Sequence, residues 1–276
     1  MLMCTVLETS RSGFYAWLNR EPSDRSKSDA RLLDLIREVH KANREIYGSP
    51  RVHEALKAGG VNCGRNRTAR LMREDGLRSK TKKKFKATTN SKHSHPVAPN
   101  LLGQDFKAQL PNAIWVSDIT YIWTDEGWLY LATTMDLFSR GIVGWSMDSR
   151  MKSSLVVSAL DMALKTREPM AGLIHHSDRG VQYAASPFQN LLSSNGIVCS
   201  MSRKGNCYDN AVQESFYHSL KTELVHHEHY RTRGEAIASV FEYIEAFYNR
   251  VRLHSTLGYK SPLQFELEHD GQLPAA

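Results

Sequence analysis

Two hydrophobic rhythms divide this chain. From Ser28 to Arg44, Leu32, Leu33, Leu35, Ile36 and Val39 recur near a helical period among charged residues, which predicts an amphipathic helix. A second helix follows from Pro50, a residue suited to a first helical turn, and stops at Gly59 and Gly60. A third runs from Arg65 to Asp75 and closes at Gly76. Helix, glycine turn and helix give a helix-turn-helix outline. Ahead of it, residues 1–27 form a short helical lead-in whose abrupt start reads as the latter half of a truncated unit.

From Ile114 the rhythm changes. "IWVSDITYIWT", "WLYLATTMDLF" and "GIVGWSMDS" are β-rich runs separated by "DEG" and "SRG", turn signals that suit hairpins. A helix is expected over Ser153–Thr166, a short strand at "LIHHS" ending on Asp178, and a helix over Pro187–Ser194. A fifth strand at "GIVCS" and helices over Asp209–Val225 and Gly234–Asn249 complete the series. Three strands in a meander, then helix, strand, helix, strand, helix, describe an α/β fold with a mixed sheet flanked by helices. That order matches the ribonuclease H-like fold, here preceded by a small all-helical domain of helix-turn-helix type. The expected domains are 28–79 for the helical domain, 80–110 for a basic and polar linker, and 111–270 for the sheet-bearing core.

Charge sharpens this division. Residues 1–100 hold 21 Lys and Arg against 10 Asp and Glu, whereas residues 101–276 hold 15 against 19. A basic front on an acidic body suggests that the front binds a polyanion; the alternative is a solvated basic face. The third helix would present Arg65, Asn66, Arg67, Arg70 and Arg73, side chains of the kinds that grip phosphates and read base edges. Lys80, Lys82, Lys83, Lys84 and Lys86 in the linker form a further phosphate-seeking stripe. No run of 18 apolar residues and no signal peptide is present, so no membrane is expected and the chain reads as cytoplasmic. Four scattered cysteines at positions 4, 63, 199 and 207 suggest neither disulfides nor structural zinc.

Candidate chemistry lies with the carboxylates. Asp118 sits inside a strand, where aspartate has poor propensity and needs a compensating partner. Asp178 ends the fourth strand, and in the fold just named the first and fourth strands are neighbours. A third acid is expected from the helix "DNAVQESFYHSLKTEL", whose stripe of Val212, Phe216, Leu220 and Leu224 marks the buried side. Glu214 lies off that stripe with Lys221 two turns above it; alone, the pair is what any solvent face offers. Three converging carboxylates repel and are stable chiefly with cations, and oxygen-only ligation favours magnesium or manganese. Asp136 and Asp148 are competitors; Asp136 is expected to start a turn, and Asp209 with Asn210 to cap the helix of Glu214. His175 and His176 have no partner at ligand spacing, and one must face the core.

These stretches carry a family likeness. "WVSDITYI", "HHSDRGVQY", "KGNCYDNAVQESFYHSLKTEL" and "YNRVRLHSTLGYKSP" resemble the transposases of the insertion sequence three family, relatives of retroviral integrases, as do "SRSGFYAWL" and "YGSPRVHEAL". Glu214 follows Asp178 by 36 positions, the acid spacing of that family. The resemblance implies that Asp118, Asp178 and Glu214 are catalytic and hold two magnesium ions, with manganese as a substitute, and that Lys221 touches the transposon-end DNA. It implies cleavage at the element's ends followed by strand transfer, that is DNA recombination and integration. The implied partners are the terminal repeats, target DNA, further copies of the chain on DNA, and an upstream-frame protein. Tyr248, Asn249, Arg252 and His254 match a further motif, which would brace the active site or the DNA, or else pack a helix end. Two other readings stand beside this one: a nuclease or resolvase that hydrolyses without strand transfer, and a non-catalytic DNA-binding regulator.

Overall fold

The computed structural model describes residues 4, 6, 8–80, 97–203 and 207–270. The chain divides into two compact units, residues 1–79 and 80–276.

In the first unit, helix α1 spans Arg11–Leu18 and buries none of its residues; Ser10 Oγ caps it by accepting the Gly13 N–H at 3.0 Å. Helix α2 spans Asp24–Ala42, four residues earlier at its start than the apolar rhythm indicates, because Ser23 supplies the cap and Asp24 the first-turn acid. Helix α3 spans Ser49–Ala58 and α4 Arg65–Glu74. Leu32, Ile36, Val52, Leu56, Leu71 and Met72 form their shared core.

The second unit is built on a five-stranded sheet of order β3-β2-β1-β4-β5, with β1 Ile114–Thr124, β2 Gly127–Asp136, β3 Ile142–Asp148, β4 Ile174–Ser177 and β5 Val198–Met201. The first three strands are an antiparallel meander; β4 and β5 add in parallel beyond β1. The turn between β1 and β2 needs its glycine, since Gly127 has φ +98°. Helix α5, Ser153–Arg167, covers one face with Leu155, Val156, Ala159, Leu160 and Ala163 against Trp115, Ala132 and Val143. It lies close enough that a Cβ on Gly144 would overlap the Ala159 carbonyl oxygen and stand 2.7 Å from Ala163 Cβ. The short turn α6, Val181–Ala184, and helix α7, Ser186–Ser194, add Tyr183, Phe188 and Leu192 to the same core.

Helix α8, Ala211–Glu223, meets the opposite face, where Gln213 and Tyr217 reach Thr133 of β2. Helix α9, Arg233–Glu242, opens with a capping box of Thr232 and Glu235. Its continuation is not the regular helix expected to Asn249: Tyr243–Tyr248 is a π turn with Tyr243, Ile244, Phe247 and Tyr248 all buried. Helix α10, Pro262–His269, closes the unit. Among the described residues no helix is long and apolar enough to cross a membrane.

Candidate active site

The parallel pairing of β1 with β4 ends at Ser117 opposite Ser177. The next residue, within β1 and just past the end of β4, is in each case an aspartate, so Asp118 and Asp178 emerge side by side where the two strands part. Asp118 Oδ1 accepts its neighbour's N–H, from Ile119, at 2.8 Å. Its pKa stands well above the ordinary carboxylate range, first through burial, then through the Asp178 charge; the Ile119 bond and, more weakly, Lys221 pull the other way, while Glu214 adds to the rise. Asp178 Oδ1 accepts the Gly180 N–H at 2.8 Å, and a Cβ on Gly180 would come within 2.9 Å of that same oxygen. The Asp-x-Gly stretch is therefore a turn that also aims a carboxylate at Asp118.

Helix α8 supplies the remaining groups. Glu214 is exposed in its first turn, and the desolvation it meets raises its pKa. Lys221 lies over the Tyr121 ring, 4.8 Å from the centroid, and burial lowers its pKa against the pull of Asp118. Asp118 thus feels Asp178, Glu214 and Lys221 together. The acids are not drawn into a closed cluster: among the described residues no three His, Cys, Asp or Glu side chains stand at metal-holding spacing. A raised Asp118 that feels the charge of a second carboxylate is the kind of group a divalent cation relieves, and the all-oxygen donor set suits magnesium or manganese.

Two residues that the apolar stripe does not mark out support this site from α8. Tyr217 is buried, and its hydroxyl donates to the Asp118 carbonyl oxygen at 2.5 Å while lying 2.8 Å from Thr133 Oγ1. Gln213, fully buried, donates to the same Thr133 oxygen. Val212 and Leu224 of the expected stripe are only half-buried, whereas Phe216 and Leu220 are buried. The helix therefore turns a partly polar face to the sheet. The adjacent aromatics of "SFYHS" are the one sequence signal of this.

Other expected residues fall into structural roles. Asp136 starts a turn, its carboxylate accepting the N–H groups of Phe138 at 3.0 Å and Asn112 at 2.9 Å; burial pushes its pKa up to about 6. Asp148 accepts the Arg150 N–H at 3.0 Å. The cap expected of Asp209 and Asn210 is not formed, because each side chain has a stronger claim elsewhere. Asp209 is buried against the Arg203 guanidinium, 2.9 Å away, with Asn100 and Gln104 donating to it, and Arg203 holds its pKa well below the usual range. Asn210 stands at the N-cap position without a side-chain cap bond and donates to the Ser117 carbonyl oxygen at 3.3 Å, tying α8 to the end of β1. His175 and His176 are both buried: His175 Nε2 lies 2.8 Å from Ser117 Oγ, and His176 bonds Ser200 and the Asp209 carbonyl.

The Tyr248 to His254 motif joins the C-terminal segment to α8 and β3. Tyr248 stacks edge-on against Phe216 at 4.7 Å and His254 at 4.9 Å. Asn249 bonds both backbone groups of Ile142, accepting at 2.9 Å and donating at 3.0 Å. Arg252 is buried against Glu223, the last residue of α8, with a closest N to O distance of 2.5 Å. A cavity of about 360 Å³ between α5 and this segment, lined in part by Met162, Arg167, Asn249 and Glu266, contains none of the three acids.

In the helical unit, Arg65, Asn66 and Arg73 are exposed on α4. Arg67 and Arg70 are engaged within the unit, each 2.6 Å from a different oxygen of Asp29 on α2. Lys82, Lys83 and Lys84 lie outside the described residues.

Comparison with known proteins agrees with this layout. An HTH-like domain matches residues 27–85, and two models described as integrase core domain match 108–207 and 214–269. The chain is 52% identical over 263 residues to the insertion element IS600 uncharacterized 31 kDa protein of Shigella sonnei, covering 95% of this chain and 97% of that protein. It is 45% identical over 266 residues to the transposase InsF for insertion sequence IS3A of Escherichia coli K12, covering 96% and 92%. Among solved structures, a chain of the simian T-cell lymphotropic virus intasome shares the fold at a TM-score of 0.50 and 20% identity, over 80% of this chain and 72% of that one.

Proposed function

Since the chain belongs to the transposases of the insertion sequence three family, we propose that Asp118, Asp178 and Glu214 are the residues that carry its chemistry. What supports this reading above all is the register of β1 and β4, which ends one residue before Asp118 and Asp178. The raised pKa of Asp118 beside Asp178 marks a site that wants positive charge.

The three carboxylates would hold two magnesium ions, with manganese able to substitute. Such ions, when bound, stabilise the entering and leaving oxygens of an in-line phosphodiester displacement. The chain's own groups do the rest. Tyr217 clamps the Asp118 backbone, so the carboxylate springs from a fixed point. Lys221, beside Asp118, takes a phosphate of the element-end strand. In the first reaction a water oxygen bonds to phosphorus and the bond from phosphorus to the 3′ oxygen breaks, leaving a 3′ hydroxyl and a 5′ phosphate. In the second, that hydroxyl attacks a target phosphodiester, loses its proton and expels the target's own 3′ oxygen. The basic helical unit binds the terminal repeats through exposed Arg65, Asn66 and Arg73, and the linker lysines Lys82, Lys83 and Lys84 bind phosphates. Several copies act together on DNA, with an upstream-frame protein as a further partner.

Purified protein incubated with labelled element ends and magnesium tests this. Cleavage and joining are expected in the wild type and absent in Asp178→Asn, with DNA binding kept by both. Equal activity in the two proteins removes Asp178 from the mechanism. Cleavage without joining indicates a nuclease, and tight binding with no cleavage in either form indicates a regulator.

A further inference from the structure

The end of the β1–β2 hairpin carries an exposed aromatic cluster that the acids leave without a role. Trp123 and Trp128 oppose each other across the two strands, edge to face with 4.8 Å between ring centroids. Trp128 meets Tyr121 in the same manner at 4.9 Å. Cross-strand pairing of this kind steadies a hairpin, but it does not explain exposure. Trp123 leaves 55% of its surface in water and Trp128 43%, while tryptophan is on average a well-covered residue.

One cation ties this cluster to the acids. Lys221 Nζ is 4.8 Å from the Tyr121 ring centroid, and its charge is felt at Asp118. Tyr121 and Trp123 follow Asp118 by three and five residues, about 10 and 17 Å along an extended strand. The odd spacing turns their rings to the other face of β1 from the Asp118 carboxylate, so a DNA strand passes from one to the other round the edge that Lys221 spans. Those lengths are roughly three and five base rises of a stacked DNA strand. The two acids of the hairpin turn are already engaged: Asp125 lies 2.9 Å from His229 Nε2, and Glu126 accepts the Arg233 N–H at 2.8 Å. Flat rings accept any base by stacking, and an adjacent ammonium accepts the phosphate between bases.

We propose that Tyr121, Trp123 and Trp128 form a stacking platform for unpaired nucleobases of the element-end strand, about three to five nucleotides from the phosphate bound at Asp118 and Asp178. The proposal rests on the transposase reading of those acids and adds a binding subsite to it. The platform fixes the strand's path across the hairpin, so the phosphate is delivered to the acids rather than found by them.

The test uses 2-aminopurine placed opposite an abasic site, so that it begins unstacked and bright. It stands at about the third to fifth nucleotide from the scissile phosphate of an element end, or at matching positions of target DNA. The full-length wild type is expected to quench the element-end probe and not the target probe. The Trp123→Leu, Trp128→Leu double variant is expected to lose the quench and bind the element end about tenfold more weakly. Asp178→Asn is expected to keep the quench without cleaving; if it cleaves like wild type, the acid assignment fails while the quench still reports on the platform. Photocrosslinking of the wild type through 5-iodouracil at the same positions needs no variant, decides the matter if the double variant does not fold, and is expected to land on residues 121–128. Equal quenching by wild type and double variant, quenching confined to the target probe, or crosslinks elsewhere overturn the proposal. So does a double variant whose only change is lost self-association, which makes the cluster a contact between copies.

Discussion

Arg252 and Glu223 meet inside the protein, 2.5 Å apart at their closest, with 5% and 9% of their side chains exposed. The pair joins the end of α8 to the segment that follows the π turn, and Tyr243 also donates to Glu223 at 2.7 Å. Removing one buried charge strands the other, at a cost of about 3–5 kcal/mol. Arg252→Met is therefore expected to lose most of its folding stability in urea titration, and Glu223→Leu added to it to regain part of the loss. A single variant as stable as wild type would show that the pair contributes nothing.

Tyr217→Phe removes a hydroxyl that bridges the Asp118 carbonyl and Thr133. The expected stability loss is about 1 kcal/mol. Cleavage should fall more, roughly ten- to a hundredfold, because small displacements of a reacting group are expensive. Parallel measurements of melting temperature, DNA affinity and cleavage rate separate the two effects; unchanged cleavage would deny Tyr217 a positioning role.

Burial holds His175 neutral, its pKa pushed down to about 3. The unfolded chain returns this group to its ordinary value near 6.5. Between those values only the unfolded chain takes up the proton, so stability falls as pH drops through that window. Asp136 acts oppositely: with its pKa pushed up to about 6, the folded chain keeps a proton that the unfolded one releases above about 4. That contribution favours the fold as pH falls from about 6 to about 4. His175→Gln is expected to remove about 2 kcal/mol of the acid loss between pH 6.5 and 5. Urea titrations at several pH values check the slope, and identical slopes for both proteins would refute the assignment.

Asp29 engages both Arg67 and Arg70, and their guanidinium groups hold its pKa below the ordinary carboxylate range. Asp29→Asn is expected to release the Arg67 guanidinium toward phosphates while Arg70 stays on Glu74, 2.8 Å away, tightening non-specific DNA binding. The salt dependence of affinity should steepen by about one unit of slope. A slope equal to that of wild type would mean that Arg67 stays where it is.

Gly144→Ala places a methyl group against the Ala159 carbonyl and Ala163. Backbone cannot yield as a side-chain tip can, so a loss of about 1–3 kcal/mol or more is expected. Urea denaturation at neutral pH measures it.

Much of this architecture was legible in the residues. The run "IWVSDITYIWT" gives β1 to the residue, because turn signals bound it and its aromatic and branched side chains suit a pleated surface. The adjacency of Asp118 and Asp178 followed from strand order, and Asp178 from the break in an apolar run. Tyr217 and Gln213 were not legible, because hydrophobicity alone defines the buried side of a helix and these two are buried as polar groups. The fate of Asp209 depended on Arg203, Asn100 and Gln104, two of them about a hundred residues away in sequence, and no local cap rule can foresee such competition. The π turn over Tyr243–Tyr248 interrupts a stretch whose apolar spacing suits an α-helix, so periodicity does not announce it.

The paired bonds of Asn249 with Ile142 have a consequence for the sheet's edge. β3 is an outer strand of the sheet, and an outer strand invites any extended chain nearby to zip onto it. A carboxamide that answers both backbone groups of one residue imitates a neighbouring strand a single residue long. It occupies a place on β3 that an extended chain would otherwise pair with.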